Sequence, residues 1–328
     1  MLIQRGVTAV SGTTDTITLD TPVIVGESFV IHSNTSGRNN SDENCIQVYL
    51  DGVIGGEYTE LSFLRNSDGG TNTVYWEVVT GEEFTVQSGV QNMNSGEQTD
   101  NVSLSNIDTT KCFPIISHST TDSGGINLSL KAEITSSTNL QLSKLAFSGS
   151  FQVQWQVVES NLFNVKKYTG SHTGSSTTVT IDSVDKDKSF VYPTWNNFQG
   201  DRQFQYTWYE LVSNDSVEIT TQSSVGSAYE YVIYVVELSE GRTIMGGKTD
   251  INDVDISANS VDKERSIMLT HAYGNFAGNR GRVGHQIHDD NTLKFYRASP
   301  LNWEGFGYQV VEFSGDTQQN TGNFLAFM

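Results

Sequence analysis

Apolar and polar residues alternate along four short stretches of this chain, and the four stretches are versions of one phrase. Val74-Tyr75-Trp76-Glu77-Val78-Val79 returns as Val153-Gln154-Trp155-Gln156-Val157-Val158-Glu159. It returns again as Tyr231-Val232-Ile233-Tyr234-Val235-Val236-Glu237 and as Phe306-Gly307-Tyr308-Gln309-Val310-Val311-Glu312. The final valines, Val79, Val158, Val236 and Val311, recur at intervals of 79, 78 and 75 residues. A period of this kind sets the architecture, because each copy is one structural unit. Strand side chains point to opposite faces in turn. Val153, Trp155 and Val157 therefore mark a buried face, and Gln152, Gln154 and Gln156 a wet one. The first copy agrees, with Val74, Trp76 and Val78 facing in and Tyr75 and Glu77 facing out.

Each unit also carries an apolar run after a charged or polar residue. These runs are Ser28-Phe29-Val30-Ile31, Lys111-Cys112-Phe113-Pro114-Ile115-Ile116, Lys188-Ser189-Phe190-Val191-Tyr192 and Arg265-Ser266-Ile267-Met268-Leu269. Thr16-Ile17-Thr18-Leu19 and Thr178-Val179-Thr180-Ile181 alternate in the same way, and their residue types suit a pleated, half-buried surface. Turn chemistry at Asp51-Gly52, Asp68-Gly69-Gly70, Ser123-Gly124-Gly125 and Asn214-Asp215 separates the runs. No stretch keeps apolar residues at helical spacing. The expected fold is all-β: four tandem antiparallel β-sandwich repeats with little or no helix. Their bounds are 1–80, 81–159, 160–237 and 238–313, followed by a C-terminal tail, 314–328. The phrase closing each repeat is expected to be a core-facing strand that buries Trp76, Trp155, Ile233 and Tyr308 at equivalent places. Units folding singly and units fused in pairs both fit the pattern. The joints Glu159-Ser160-Asn161 and Ser239-Glu240-Gly241 are short, so consecutive units touch as a rigid rod or a compact block.

Charge narrows the partners. The 328-residue chain carries 38 acidic against 19 basic residues, a formal net charge of −19. Duplex nucleic acid is disfavoured, because phosphate contacts need clustered Lys and Arg. No run is long enough to span a bilayer, and no secretory leader precedes the first repeat, which predicts folding and assembly inside a cell. Cys45 and Cys112 are too few for a disulfide framework and occupy different places in their units. They are expected to be buried thiols.

Candidate chemistry is sparse. His285 and His288 are three apart, so a strand points them to opposite faces, and no metal is expected there. Asp185-Lys186-Asp187 and Asp253-Val254-Asp255 resemble fragments of calcium loops but lack the remaining oxygen ligands. No nucleophile elbow or phosphate loop is present, so no catalytic residue and no cofactor is expected. Three features remain as interaction candidates. Trp195 and Phe198 lie in a loop-like stretch, Pro193-Thr194-Trp195-Asn196-Asn197-Phe198, either as a sugar-stacking element or as an interface anchor. Phe204, Tyr206 and Trp208 alternate with polar residues and are expected to turn their rings into the core. Arg280 and Arg282 form the densest positive spot, on a Gly-rich hairpin tip. Phe324, Leu325 and Phe327 end the polar tail as an apolar tip that docks on a partner or folds back on its own unit.

The closing phrase of the Val-x-Trp-x-Val-Val-Glu kind, on tandem β-units rich in Thr, Ser and Asn, resembles virion structural proteins of tailed bacteriophages. The resemblance implies a non-enzymatic part of the particle: a capsid decoration, a tail or baseplate element, or part of a fibre. It implies localisation in the virion after assembly in the host cytoplasm, with other virion proteins as partners and no nucleic acid or membrane. Repeated units expose similar strand edges, which predicts a symmetric homo-oligomer, with a trimer favoured. The competing reading is an adhesin that binds a host receptor or surface glycan.

Overall fold

The structure, a computed structural model, describes residues 1–36, 45–66, 70–121, 129–144, 149–197, 207–248, 254–257, 261–273, 283–297 and 305–314. Strands make up most of the described residues. Among the described residues the only helical turns are two short 3-10 turns, Lys186–Lys188 and Lys263–Arg265.

One six-stranded pattern recurs. The first unit contains β1 (Leu2–Val10), β2 (Thr14–Ile24), β3 (Ser28–Ser36), β4 (Gln47–Ile54), β5 (Glu57–Leu64) and β6 (Asn72–Thr80). They form two antiparallel sheets, ordered β1-β6-β3 and β2-β5-β4. The second unit contains β7 (Phe84–Met93), β8 (Thr99–Ser103), β9 (Cys112–Thr120), β10 (Lys131–Ser136), β11 (Asn139–Ser143) and β12 (Phe151–Ser160), in the sheets β7-β12-β9 and β10-β11-β8. In the third unit the first two strands run together as β13 (Phe163–Thr180) and the last two as β16 (Ser216–Leu238). β14 (Ser189–Asn197) and β15 (Thr207–Ser213) both pair with β16. The fourth unit returns to six: β17 (Gly241–Lys248), β18 (Val254–Ser257), β19 (Ser266–Tyr273), β20 (Val283–Asp289), β21 (Thr292–Arg297) and β22 (Gly305–Phe313). Its sheets are β17-β22-β19 and β18-β21-β20.

Each closing phrase lies on the last strand of its unit, between two antiparallel neighbours. Trp76, Trp155 and Ile233 are buried and Tyr308 is half-buried. Trp76 pairs with Gly6, Trp155 with Gly89 and Tyr308 with Gly246. The rings lie flat across these glycines. A Cβ on Gly6 would come within 2.2 Å of the Trp76 ring, and one on Gly246 within 2.4 Å of Tyr308. In the third unit Ile233 takes the aromatic position, and the ring moves two residues, to Tyr231 over Gly170.

The polar half of the alternation is not wet. Tyr75, Glu77, Gln154 and Gln156 are all buried, at 9, 5, 6 and 5% exposure. The period-2 pattern locates two faces correctly, but the second face packs on a neighbouring unit. Trp208 is displaced by the same logic. Thr207, Tyr209 and Leu211 are the inward residues of β15, and Trp208 turns the other way, over Gly307 of the fourth unit.

Packing between units decides the shape. Val78 joins the interior of the first sandwich, whereas Val79, Val158, Val236 and Val311 meet in one cluster fed by all four units. Phe84 stands within ring contact of Phe29 at 5.2 Å, Phe163 at 6.1 Å and Phe313 at 5.9 Å, one ring from each other unit. The chain is therefore a block with a shared centre, not a rod. Neither single units nor pairs own the whole core.

The turn before each apolar run is built the same way three times. The carboxylates of Asp108, Asp185 and Asp262 accept from the backbone N–H of Thr110, Asp187 and Glu264, at 3.0, 3.1 and 3.0 Å. The closing glutamates Glu159, Glu237 and Glu312 accept in turn from the N–H of Asp108, Asp185 and Asp262, at 2.9, 2.8 and 3.0 Å. Asp185-Lys186-Asp187 is thus a capped turn. Asp253 lies outside the described residues.

Candidate interaction surfaces

The residue ahead of each Val-Val pair reaches into another unit. Gln156 accepts from the Val30 N–H at 2.9 Å and donates to the Val30 carbonyl at 3.0 Å. Gln309 does the same to Val191, at 2.7 and 2.9 Å. Val30 and Val191 sit on β3 and β14, edge strands of their sheets. The carboxamide therefore satisfies backbone groups that no strand pairs.

The other two clamps use different chemistry for the same task. Glu77 accepts from the Met268 N–H at 2.9 Å, and Arg5 donates to the Ser266 carbonyl while its Nε donates to Glu77 at 3.1 Å. Acceptor and donor, combined in one glutamine elsewhere, are here divided between a carboxylate and a guanidinium. Both side chains are under 10% exposed. Burial raises the Glu77 pKa, with Arg5 and the Met268 N–H pulling it back. At the remaining junction the target position is Pro114, which has no N–H. Tyr234 stands in place of glutamine, and its hydroxyl accepts from the Ile134 N–H on β10 at 2.8 Å.

A second row of hydroxyls runs parallel to the first. Ser117 Oγ accepts from the Val48 N–H at 3.1 Å and donates to its carbonyl at 3.4 Å. Thr194 holds Ala132 likewise, at 3.1 and 2.9 Å. Ser33 accepts from the His285 N–H at 3.1 Å. The grips run second unit on first, third on second, fourth on third, and first on fourth. One head-to-tail contact, repeated, closes on itself within the chain. The backbone groups gripped on β3, β14 and β19 are strand-edge groups, satisfied inside the molecule.

The junctions are not interchangeable. Tyr75 of the first unit lies over Gly284 of the fourth, where a Cβ would come within 2.1 Å of its ring, and stacks on Tyr296 at 4.8 Å. At the next junction the sizes are reversed, with Gly307 beneath Trp208. Between the second and third units, ion pairs Lys131–Glu230 at 2.6 Å and Lys167–Glu133 at 3.0 Å stand beside the tyrosine clamp.

The interaction candidates named from sequence fare differently. Trp195 is not in a loop. It lies in β14, paired with Tyr231, half-buried, with its ring 5.7 Å from Tyr209. Pro193 misled the reading because edge strands tolerate proline where the N–H would face away from the partner strand. Phe198, Arg280, Arg282, Phe324, Leu325 and Phe327 lie outside the described residues, as do Phe204 and Tyr206. His285 is buried and bonded through Nδ1 to Thr270 Oγ1 at 2.8 Å, while His288 is exposed. Among the described residues no group of three His, Cys, Asp or Glu could hold a metal ion. Cys45 and Cys112 are buried and not joined in a disulfide. Burial, with Glu159 and Asp108 nearby, pushes the Cys112 thiol up to about 12. His172 is fully buried between Thr177 and Thr221 hydroxyls at 2.8 and 3.2 Å, and burial lowers its pKa.

The clamp residues were missed from sequence. Their signal was present: Gln156 and Gln309 put the same amide at the same phase of a repeated phrase, next to buried valines. No family model matches this chain, and no curated protein matches it.

Proposed function

We propose that the protein is a non-enzymatic structural component of a phage particle that acts through protein–protein contacts. The supporting observation is the closed cycle of buried clamps. A chain whose four units grip one another through backbone groups is a preformed block, suited to occupy a fixed place in a larger assembly. The resemblance of the closing phrase to virion proteins supplies the particle. The placement follows from the same reading: host cytoplasm during assembly, then the virion, beside other virion proteins. Copies are set by the symmetry of the particle, a trimer first, and use surfaces other than the clamped edges. Quantitative mass spectrometry and antibody labelling of purified particles test this. Presence at a fixed copy number is expected. Absence from particles, with the protein free in the lysate, overturns it. The adhesin reading draws no support from Trp195, whose ring is taken up by Tyr209. Saturable binding on a glycan array, lost in Trp195→Ala, would reinstate it.

A further inference from the structure

The fourth and fifth strands of every unit are joined by a hairpin, and the four hairpins differ in one respect. Three are short and polar at the tip: Ser137-Thr138, Asn214-Asp215 and Asp290-Asn291. All four turns are bonded back to their own unit, with the Gly56, Thr138, Asp215 and Asp290 carbonyls accepting from Val25, Leu104, Ile181 and Val261. The hairpin of the first unit is longer. β5 begins four residues ahead of Leu61, whereas β11, β16 and β21 begin one residue ahead of the corresponding Leu140, Val217 and Leu293. Its two-residue turn, Gly55-Gly56, has both φ angles positive, at 63 and 90°, the geometry of a tight hairpin that only glycine adopts without strain.

This longer tip is apolar and uncovered. Val53 and Ile54 are 59 and 69% exposed, the two highest values among the large exposed hydrophobics of the described residues. Ile24 pairs with Glu57, which pairs with Ile54, so both isoleucines lie in one cross-strand row. Ile24 and Val25 are themselves 45 and 40% exposed. Half of the eight large exposed hydrophobics thus gather at this one end. The surrounding charge has one sign. Residues 14–28 and 47–64 contain Asp15, Asp20, Glu27, Asp51, Glu57 and Glu60 and no Lys or Arg.

We propose that this hairpin is a docking finger for a different protein, one offering an apolar pocket rimmed by Lys or Arg. The aliphatic tip supplies contact area that desolvates on binding. The carboxylates around it select a basic rim and repel a second copy of this chain, whose finger carries the same charges. The inference rests on the reading of this protein as one that works through protein contacts, and it names where one of those contacts is made.

The test replaces Ile54 by p-benzoylphenylalanine in the full chain and irradiates the cells that produce it. Crosslinked peptides are then identified by mass spectrometry. One heterologous protein is expected, joined through an apolar peptide with Lys or Arg beside it. Its yield should fall at least about tenfold when Val53→Ser or Asp51→Lys is added to the same chain. Val90→Ser, at an exposed valine of the second unit, should leave it unchanged, and all variants should keep the parent melting curve. A crosslink only to another copy of the chain, or a yield no higher than from the probe at exposed Glu97, overturns the proposal. So does a partner peptide with an acidic rim. A partner that meets these criteria but belongs to no particle would overturn the particle reading and leave the finger intact.

Discussion

Replacing Glu77 by alanine removes the carboxylate that joins the first unit to the fourth. Two groups lose their partner: the Met268 N–H, and the Arg5 guanidinium, which stays buried beside Ser266. Breaking a buried pair by deleting one partner costs about 3–5 kcal/mol. Glu77→Ala should therefore lose stability on that scale. The structure also contains the remedy. At the corresponding junction Gln309 faces Met245 across the β17–β22 ladder, just as Glu77 faces Arg5 across β1–β6. The double variant Arg5→Met/Glu77→Gln transplants that neutral clamp. It should be as stable as the parent at pH 7, or more stable by about 1–4 kcal/mol, because two charges no longer need desolvating. The pH dependence has a definite sign. The folded-state pKa of Glu77 is raised by burial, so the folded state binds its proton more tightly than the unfolded chain does. That contribution is fully present below the ordinary carboxylate value of about 4.5 and is lost as pH rises through the folded value. The parent should thus gain on the double variant as pH falls towards 4.5. Urea unfolding followed by tryptophan fluorescence measures all three proteins, with the slope checked for constancy. A loss under about 1 kcal/mol in Glu77→Ala, or a double variant no better than the single, would refute the reasoning.

Other expectations are briefer. Gly284→Trp should disrupt the first–fourth junction by driving a ring into Tyr75, and adding Tyr75→Gly should restore much of the loss by copying the Trp208–Gly307 pair; thermal melts of the two variants decide it. Trp155→Ala should cost about 3–5 kcal/mol by emptying the space over Gly89, and an unchanged denaturation midpoint would contradict the packing described. Because burial lowers the His172 pKa, the unfolded chain takes up this proton first, so stability should fall as pH drops below about 6.5. His172→Gln should flatten that slope between neutral and mildly acidic pH, read from melting temperatures.

The alternating phrases were legible in the sequence because strand geometry is local. A period of two residues follows from the backbone alone, and Val78, Trp76 and Trp155 are buried as that period requires. The recurrence of Val-Val at regular intervals gave four similar units for the same reason, and the scarcity of helical spacing gave the all-β class. What alternation cannot report is the identity of the medium on each face. Gln156 and Glu77 looked like solvent-facing residues because buried amides and carboxylates are rare in strands without a partner, and their partners are 126 and 191 residues away. The same distance hid Trp208, which covers a glycine on another unit, and made Trp195 look like an exposed ring. Only the tertiary structure brings a glutamine to a strand edge, or sets Tyr234 against Ile134 because Pro114 has no N–H. The sequence by itself determined the units and their faces, since these depend on neighbours along the chain. The closure of the four units into one block depends on contacts between residues that the chain brings together only after each unit has formed.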